Sequence, residues 1–195
     1  DLAKIATCLD FSAADTNEFT GHFTLSEVYV QGFNKGVNIN NVFMLTAYRC
    51  RFETNTEGVY CAPVDAAGDN GYINAITFYQ CWAWQNTRNY YFSPALVSVC
   101  ITFIGGNCEN ATGAAEQSYF TNIRNLTFID YYWEGASTIP AIRIGDVSMC
   151  TLSGRFNGSG GVVLGTNAEV VFDRVYTTAS TDVVTGANGT QKVAF

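Results

Sequence analysis

LTAYRCRFETNT, which begins at Leu45, recurs as ITFYQCWAWQNT, which begins at Ile76. Leu or Ile, Thr, Tyr, Cys, Asn and Thr occupy the same places in both stretches at a shift of 31 residues. Two further shifts of 25 residues lead to ITFIGGNCENAT from Ile101 and LTFIDYYWEGAS from Leu126. Further copies begin at Met149 and Val170, and a looser copy begins at Leu25. Units that repeat with variable spacing are typical of a solenoid whose insertions collect in particular turns.

The pattern inside each unit is that of β-strands. Ile76 and Phe78 are apolar and Thr77 lies between them, which is the alternation with period two that strands show. A second alternation and a third short apolar run follow in each unit, separated by corners rich in Gly, Asn and Ser. We therefore expect an all-β fold, a right-handed single-stranded parallel β-helix of about seven coils. Residues 1–195 are expected to form one such domain, which reads as a piece of a longer chain.

Parallel stacking of the coils makes specific neighbours. Equivalent residues in successive coils of a parallel sheet lie about 4.8 Å apart. Cys50 and Cys81 should then be inward neighbours in the core, without a disulfide. One outward row of hydroxyl groups is expected from Thr46, Thr77, Thr102 and Thr127.

The composition excludes several classes of protein. Only 14% of the residues are charged, the net charge is −7, and no run of Lys or Arg occurs. Binding to the phosphates of a nucleic acid or to an anionic membrane is therefore not expected, and no apolar run is long enough to cross a bilayer. The seven cysteines form no C-x-x-C pair and there is one histidine, so we expect no metal site, and no motif indicates a cofactor.

The repeat resembles that of bacteriophage tailspike proteins within the pectate-lyase-like β-helix superfamily. The resemblance rests on units such as the one that opens with Ile76-Thr77-Phe78 and closes with Asn86, and it covers roughly residues 20–180. It implies a homotrimeric receptor-binding protein of the virion tail, assembled in the cytoplasm of the bacterial host. Such a protein binds a bacterial surface polysaccharide, a capsule or an O-antigen, and often cleaves it. The 28 aromatic residues also favour association of copies, because a narrow coil cannot bury them all.

Acidic residues recur at the ninth position of the units. Glu109 and Glu134 fall on consecutive coils, so their backbones should lie about 5 Å apart, which suits the acid and the nucleophile of a retaining glycosidase. Glu53, two coils from Glu109, is the alternative partner and is nearer the inverting geometry. The competing interpretations are that these glutamates are solvated turn residues or contacts between subunits.

Aromatic residues accompany this row. Trp84 lies in the same row as the glutamates, where an exposed indole can stack on a sugar ring. Trp82, Tyr132 and Arg51 share one outward position. There they could line a groove for a glycan and bind it by stacking and by bidentate hydrogen bonds. The alternative is that Trp82 and Tyr132 bury against neighbouring subunits.

Two other functions remain open at this point. The chain could be a non-catalytic structural β-helix segment of a tail fibre, with no ligand at the glutamate row. It could also be a cell-encoded polysaccharide lyase or epimerase, although its few basic residues are scattered between the units.

Overall fold

The computed structural model describes residues 6–12, 20–62, 72–113, 116–135, 138–158, 160–178, 184–186 and 192–194. All regular elements in these ranges are β-strands. In chain order they are β1 (Thr7–Ser12), β2 (Thr20–Ser26), β3 (Tyr29–Gln31), β4 (Lys35–Asn40), β5 (Val42–Tyr48), β6 (Arg51–Glu53), β7 (Glu57–Cys61), β8 (Ile73–Tyr79), β9 (Trp82–Trp84), β10 (Arg88–Phe92), β11 (Ser98–Ile104), β12 (Asn107–Glu109), β13 (Ser118–Phe120), β14 (Ile123–Glu134), β15 (Ile142–Ile144), β16 (Val147–Ser148), β17 (Cys150–Asn157), β18 (Val162–Leu164), β19 (Glu169–Thr177), β20 (Val184–Gly186) and β21 (Lys192–Ala194).

The strands stack into three faces of a parallel solenoid. The first face is an eight-stranded sheet in the order β1-β4-β7-β10-β13-β15-β18-β20. The second face contains β2, β5, β8, β11, β16, β21 and the first parts of β14, β17 and β19. The third contains β3, β6, β9, β12 and the second parts of β14, β17 and β19. The predicted all-β parallel β-helix is thus confirmed, and the expected number of about seven coils is close. The right hand of the coil stays a prediction, in line with the strong preference of parallel crossovers.

The predicted register is confirmed on the second face for the four units that begin at Leu45, Ile76, Ile101 and Leu126. It is wrong for the copies placed at Leu25 and Met149, because Phe23 pairs with Leu45 and Thr151 pairs with Thr127. Thr46 pairs with Thr77, and Thr77 pairs with Thr102. Thr102 in turn pairs with Thr127, and the row extends to Thr24 at one end and Thr151 at the other. Because a slip of one residue would turn every side chain to the opposite face, this agreement also determines which residues point into the core.

Inward rows of apolar side chains fill the solenoid. Phe78, Phe103 and Phe128 stack with ring centroids 4.8 and 4.7 Å apart, in parallel planes. Cys50 and Cys81 are buried free thiols at neighbouring inward positions, as predicted. Burial of large aromatic rings at this spacing stabilises the packing of successive coils.

A row of asparagine side chains supports the corner between the third and first faces. Asn55, Asn86 and Asn89 are each at most 1% exposed. The side chain of Asn86 donates to the Phe52 carbonyl at 2.8 Å and to Asn89 Oδ1 at 2.8 Å. Asn89 donates to the Glu109 carbonyl at 3.1 Å. These amides satisfy backbone groups that leave the sheets at the corner, where an unpaired buried group would be costly.

The corner between the second and third faces differs from the sequence-based expectation of Gly, Asn and Ser. Its first residue has a left-handed backbone in each of the five coils from β2 to β14, and most of these residues carry large side chains. Arg49 and Gln80 adopt it because each backbone nitrogen donates to a carbonyl of the next coil, at 2.9 and 2.8 Å. These bonds offset the cost of about 1–2 kcal/mol of a left-handed residue. The positions are Glu27, Arg49, Gln80, Gly105 and Asp130, with φ between 50° and 56°.

Charges of alternating sign line the outside of the first face. Lys35 pairs in register with Glu57, and Glu57 pairs with Arg88. The Arg88 guanidinium lies 3.6 Å from Glu57 Oε1 and 3.2 Å from Glu116 Oε1. Burial raises the pKa of Glu57 to about 7, against the lowering effect of Arg88. The first face therefore places opposite charges in successive coils, which avoids the repulsion of like charges across a parallel pair.

Candidate functional site

The predicted ninth-position residues form one column on the third face. Glu53 pairs in register with Trp84, and Trp84 pairs with Glu109. Glu109 then pairs with Glu134, and Glu134 with Asn157. The short strands β6, β9 and β12 and the second half of β14 alternate inward and outward side chains, so this column and the one through Trp82 both point outward. We call these two columns of the third face the polar strip.

Glu109 and Glu134 are neighbours in consecutive coils. Their strands are adjacent in a parallel pair, so the two backbones are about 4.8 Å apart. Both residues are half-buried. Glu109 Oε1 accepts a hydrogen bond from the side-chain nitrogen of Asn107 at 2.7 Å, and Glu134 Oε2 accepts one from the Tyr132 hydroxyl at 2.6 Å. Each carboxylate is held in place by the residue two positions before it on its own strand.

A chain of hydrogen bonds continues from Glu134 across two further coils. The side-chain nitrogen of Asn157 donates to the Tyr132 hydroxyl at 2.9 Å, and the Thr178 hydroxyl donates to Asn157 Oδ1 at 2.7 Å. The hydrogen bond to Glu134 raises the pKa of Tyr132, so its hydroxyl remains a donor to the carboxylate. The side chains of this end of the polar strip are therefore ordered before any ligand arrives.

Glu53 has a different environment from the other two glutamates. It is 3% exposed, and its Oε2 accepts a hydrogen bond from the Tyr29 hydroxyl at 2.7 Å. Its other oxygen forms an ion pair with the Arg51 guanidinium. Both carboxylate oxygens of this alternative partner of Glu109 are thus engaged within the protein.

The Arg51 guanidinium also lies over two aromatic rings of the strip. Its central carbon lies 4.7 Å from the ring centroid of Trp82 and 5.4 Å from that of Tyr29. One face of Trp82 is therefore covered by a cation and is closed to a sugar ring. Trp84, in the neighbouring column beside Glu109, is half-buried and is the indole of the strip better placed for stacking.

A shallow cavity of about 370 Å³ adjoins the Glu134 end of the strip. Tyr132, Arg155 and Tyr176 line it from successive coils of one column, and Arg174 borders it from the corner. Sequence reasoning named Tyr132 in this column but missed Tyr176 and Arg174. Tyr176 could have been found from the repeat. It is the seventh residue of the unit that begins at Val170, and the seventh residues of the other units form this column.

Neither a cluster of metal ligands nor a membrane-spanning helix occurs in the described ranges. They contain no group of three or more His, Cys, Asp or Glu side chains that could hold a metal ion. No helix in them is long and apolar enough to cross a membrane.

Comparisons with protein-family models, curated proteins and solved structures find no match to this chain. The parallel solenoid is compatible with the pectate-lyase-like β-helix superfamily. Because one fold of this kind carries many functions, an assignment of function has to rest on the polar strip itself.

Proposed function

We propose that this chain is the polysaccharide-binding solenoid of a bacteriophage tailspike or related receptor-binding protein of the virion tail. Its ligand is a capsule or O-antigen of the bacterial host, which lies along the third face. The observation that carries the proposal is the pair Glu109 and Glu134, fixed one coil apart by Asn107 and Tyr132. Fixed carboxylates are strong acceptors for the hydroxyl groups of sugars.

The surroundings of the pair support a glycan over other ligands. Trp84 supplies an apolar ring next to Glu109, and sugars present apolar C–H faces beside their hydroxyl groups. Asn157 and Tyr132 add neutral groups that can donate and accept hydrogen bonds. A column of residues that repeats about every 4.8 Å along the solenoid axis also matches an extended polymer better than a compact small molecule.

Cleavage of the polysaccharide is the second candidate function. The separation of Glu109 and Glu134 by one strand spacing agrees with the short distance between the two carboxyl groups of a retaining glycosidase. Such an enzyme needs one carboxyl group as acid and the other as nucleophile. The contacts of Glu109 and Glu134 do not differentiate the two, since each accepts one hydrogen bond from its own strand. Binding is therefore the function that the geometry supports best.

The test of binding is a panel of purified capsular and O-antigen polysaccharides, presented to the wild-type protein and to three variants. We expect Glu109→Gln, Glu134→Gln and Trp84→Ala each to weaken binding of a recognised glycan about tenfold or more. Glu27→Gln is the matched control, since this exposed carboxylate lies on the corner outside the strip. The glutamate variants should change the free energy of unfolding by less than about 1 kcal/mol, because neither residue is in the core.

Release of reducing ends from a recognised polysaccharide distinguishes binding from cleavage. If the pair is catalytic, both Gln variants lose cleavage, and the pH profile of the wild type shows two limbs. Binding of no polysaccharide, or equal binding by the wild type and all three strip variants, would overturn the proposed function.

A further inference from the structure

Large apolar side chains are exposed mainly on one face of the solenoid. The described residues expose nine large hydrophobic side chains. Leu96 and Val97 directly precede β11 of the second face, and Tyr29 and Tyr176 belong to the third. The remaining five lie on the second face itself and are Phe43, Tyr79, Ile129, Met149 and Val171.

The middle of the second face also lacks charge. Three outward columns run from β2 to β17, through Met44, Thr46 and Tyr48 of β5. None of their residues is Asp, Glu, Lys or Arg. The first and third faces, in contrast, carry charges in the rows of Glu57 and Glu109. We call these three columns of the second face the uncharged face.

Charged groups border the uncharged face on both sides. An ion pair of Arg49 and Glu27, 3.6 Å apart and exposed, lies on the corner toward the third face. Arg124 and Asp146 are exposed on the opposite border. An apolar centre inside a polar rim is the usual anatomy of a protein–protein interface.

We propose that the uncharged face is the surface through which copies of this chain associate with one another. Each copy carries a net charge of −7, so two copies repel wherever their charged faces meet. The uncharged face is where they can approach without placing like charges together. Its stacked threonines offer a regular, β-branched surface that a second identical row can pack against.

The dimensions of the whole second face, which has the uncharged face at its centre, agree with this partner. Seven strands about 4.8 Å apart and seven residues per strand at about 3.3 Å give roughly 780 Å² for the sheet from β2 to β19. One partner of a stable interface contributes about 800 Å². A sugar is a poorer occupant, because Tyr48 and Tyr79 stack on each other with centroids 5.3 Å apart, so that each ring covers a face of the other.

The experiment is sedimentation of the whole chain from low to high micromolar concentration. The variants are Thr102→Lys at the centre of the face and Met149→Lys, whose side chain is so exposed (67%) that the change cannot disturb the core. Thr112→Lys is the matched control, because Thr112 is an exposed residue after β12 and lies outside the face. Lysine lowers the net negative charge, so a loss of association cannot come from stronger overall repulsion.

We expect the wild type and Thr112→Lys to sediment as the same oligomer, and the trimer is the state that the sequence resemblance implies. Thr102→Lys and Met149→Lys should raise the dissociation constant about tenfold or more, with unchanged circular dichroism. A wild type that is monomeric at all concentrations overturns the proposal. Oligomerisation of both face variants with the wild-type constant overturns it as well.

Discussion

Asn86 Oδ1 accepts two hydrogen bonds from Asn55 of the preceding coil, one from the backbone nitrogen at 2.9 Å and one from the side-chain nitrogen at 3.0 Å. Replacement of Asn86 by Leu leaves both donors buried without an acceptor. We expect Asn86→Leu to lower the free energy of unfolding by about 3 kcal/mol, measured by urea denaturation. Thr46→Ala, an exposed position, serves as the control and should change it by less than about 0.5 kcal/mol. Equal effects of the two substitutions would contradict a supporting role of the asparagine row.

Gly106 makes room for the ring of Tyr131 in the next coil. A Cβ atom at Gly106 would lie 2.3 Å from the Cys81 carbonyl oxygen and 2.9 Å from Tyr131 Cε2. Gly106→Ala should therefore lower the free energy of unfolding by about 3 kcal/mol, since overpacking forces the backbone apart. At Gly113 the nearest atom to an added Cβ is the Thr87 methyl group at 3.6 Å, so Gly113→Ala is expected to be tolerated. The prediction is wrong if thermal unfolding of the two variants coincides.

Glu57 makes stability depend on pH. Its pKa of about 7 in the folded protein exceeds the ordinary value of 4.5, so the folded state holds this proton more tightly than the unfolded chain does. The contribution is fully present below pH 4.5 and is lost as the pH rises to about 7. After allowance for solvent screening, we expect a loss on the order of 2 kcal/mol.

The check on Glu57 is urea denaturation at about pH 5 and about pH 8. Glu57→Gln cannot ionise, so it should show a smaller fall in stability between these conditions than the wild type. The neighbouring charges of Lys35, Arg88 and Glu116 remain in the variant. The same pH dependence in both proteins would show that another group is responsible.

Arg51 neutralises a buried carboxylate. Its removal leaves Glu53, which is 3% exposed, with the Tyr29 hydroxyl as its remaining described partner. Arg51→Met should cost about 3 kcal/mol of stability, because an uncompensated buried charge is expensive. Arg49→Met is the control, since the ion pair of Arg49 with Glu27 is exposed on both sides and should contribute little.

A double variant separates charge from packing at this position. Arg51→Met combined with Glu53→Gln removes the stranded charge and should recover much of the lost stability, as judged by a double-mutant cycle. If the double variant is as unstable as Arg51→Met alone, the arginine acts through its contacts with Trp82 and Tyr29 instead.

Much of the fold could be predicted because residues at equivalent positions of the sequence repeat are paired in successive coils of a solenoid. Thr46 and Thr77 align in sequence at a shift of 31 residues, and they are paired in the structure. The same alignment placed Glu109 beside Glu134 and predicted that Cys50 and Cys81 point inward. Because each position of the repeat occurs once per coil, aligning the units is enough to predict which residues are neighbours.

Side-chain partners within the strip could not be predicted in this way. The burial of Glu53 depends on Tyr29, which belongs to a looser copy of the repeat, and on a rotamer that places Arg51 over Trp82. The left-handed corners were also hidden, because Arg49 and Gln80 have no preference for that conformation. Hydrogen bonds to the adjacent coil impose it, and such bonds leave no local trace in the sequence.

The three corners of the solenoid differ in how much their length varies. Two residues always separate the second face from the third where separate strands meet there, as between Tyr48 and Arg51. Between the first and second faces the connection ranges from the single residue Asn41 after β4 to the segment 62–72 after Cys61. Evolution can therefore exchange loops at this corner while the register survives. The same property would let an engineer display a foreign peptide there, on a rod of defined length.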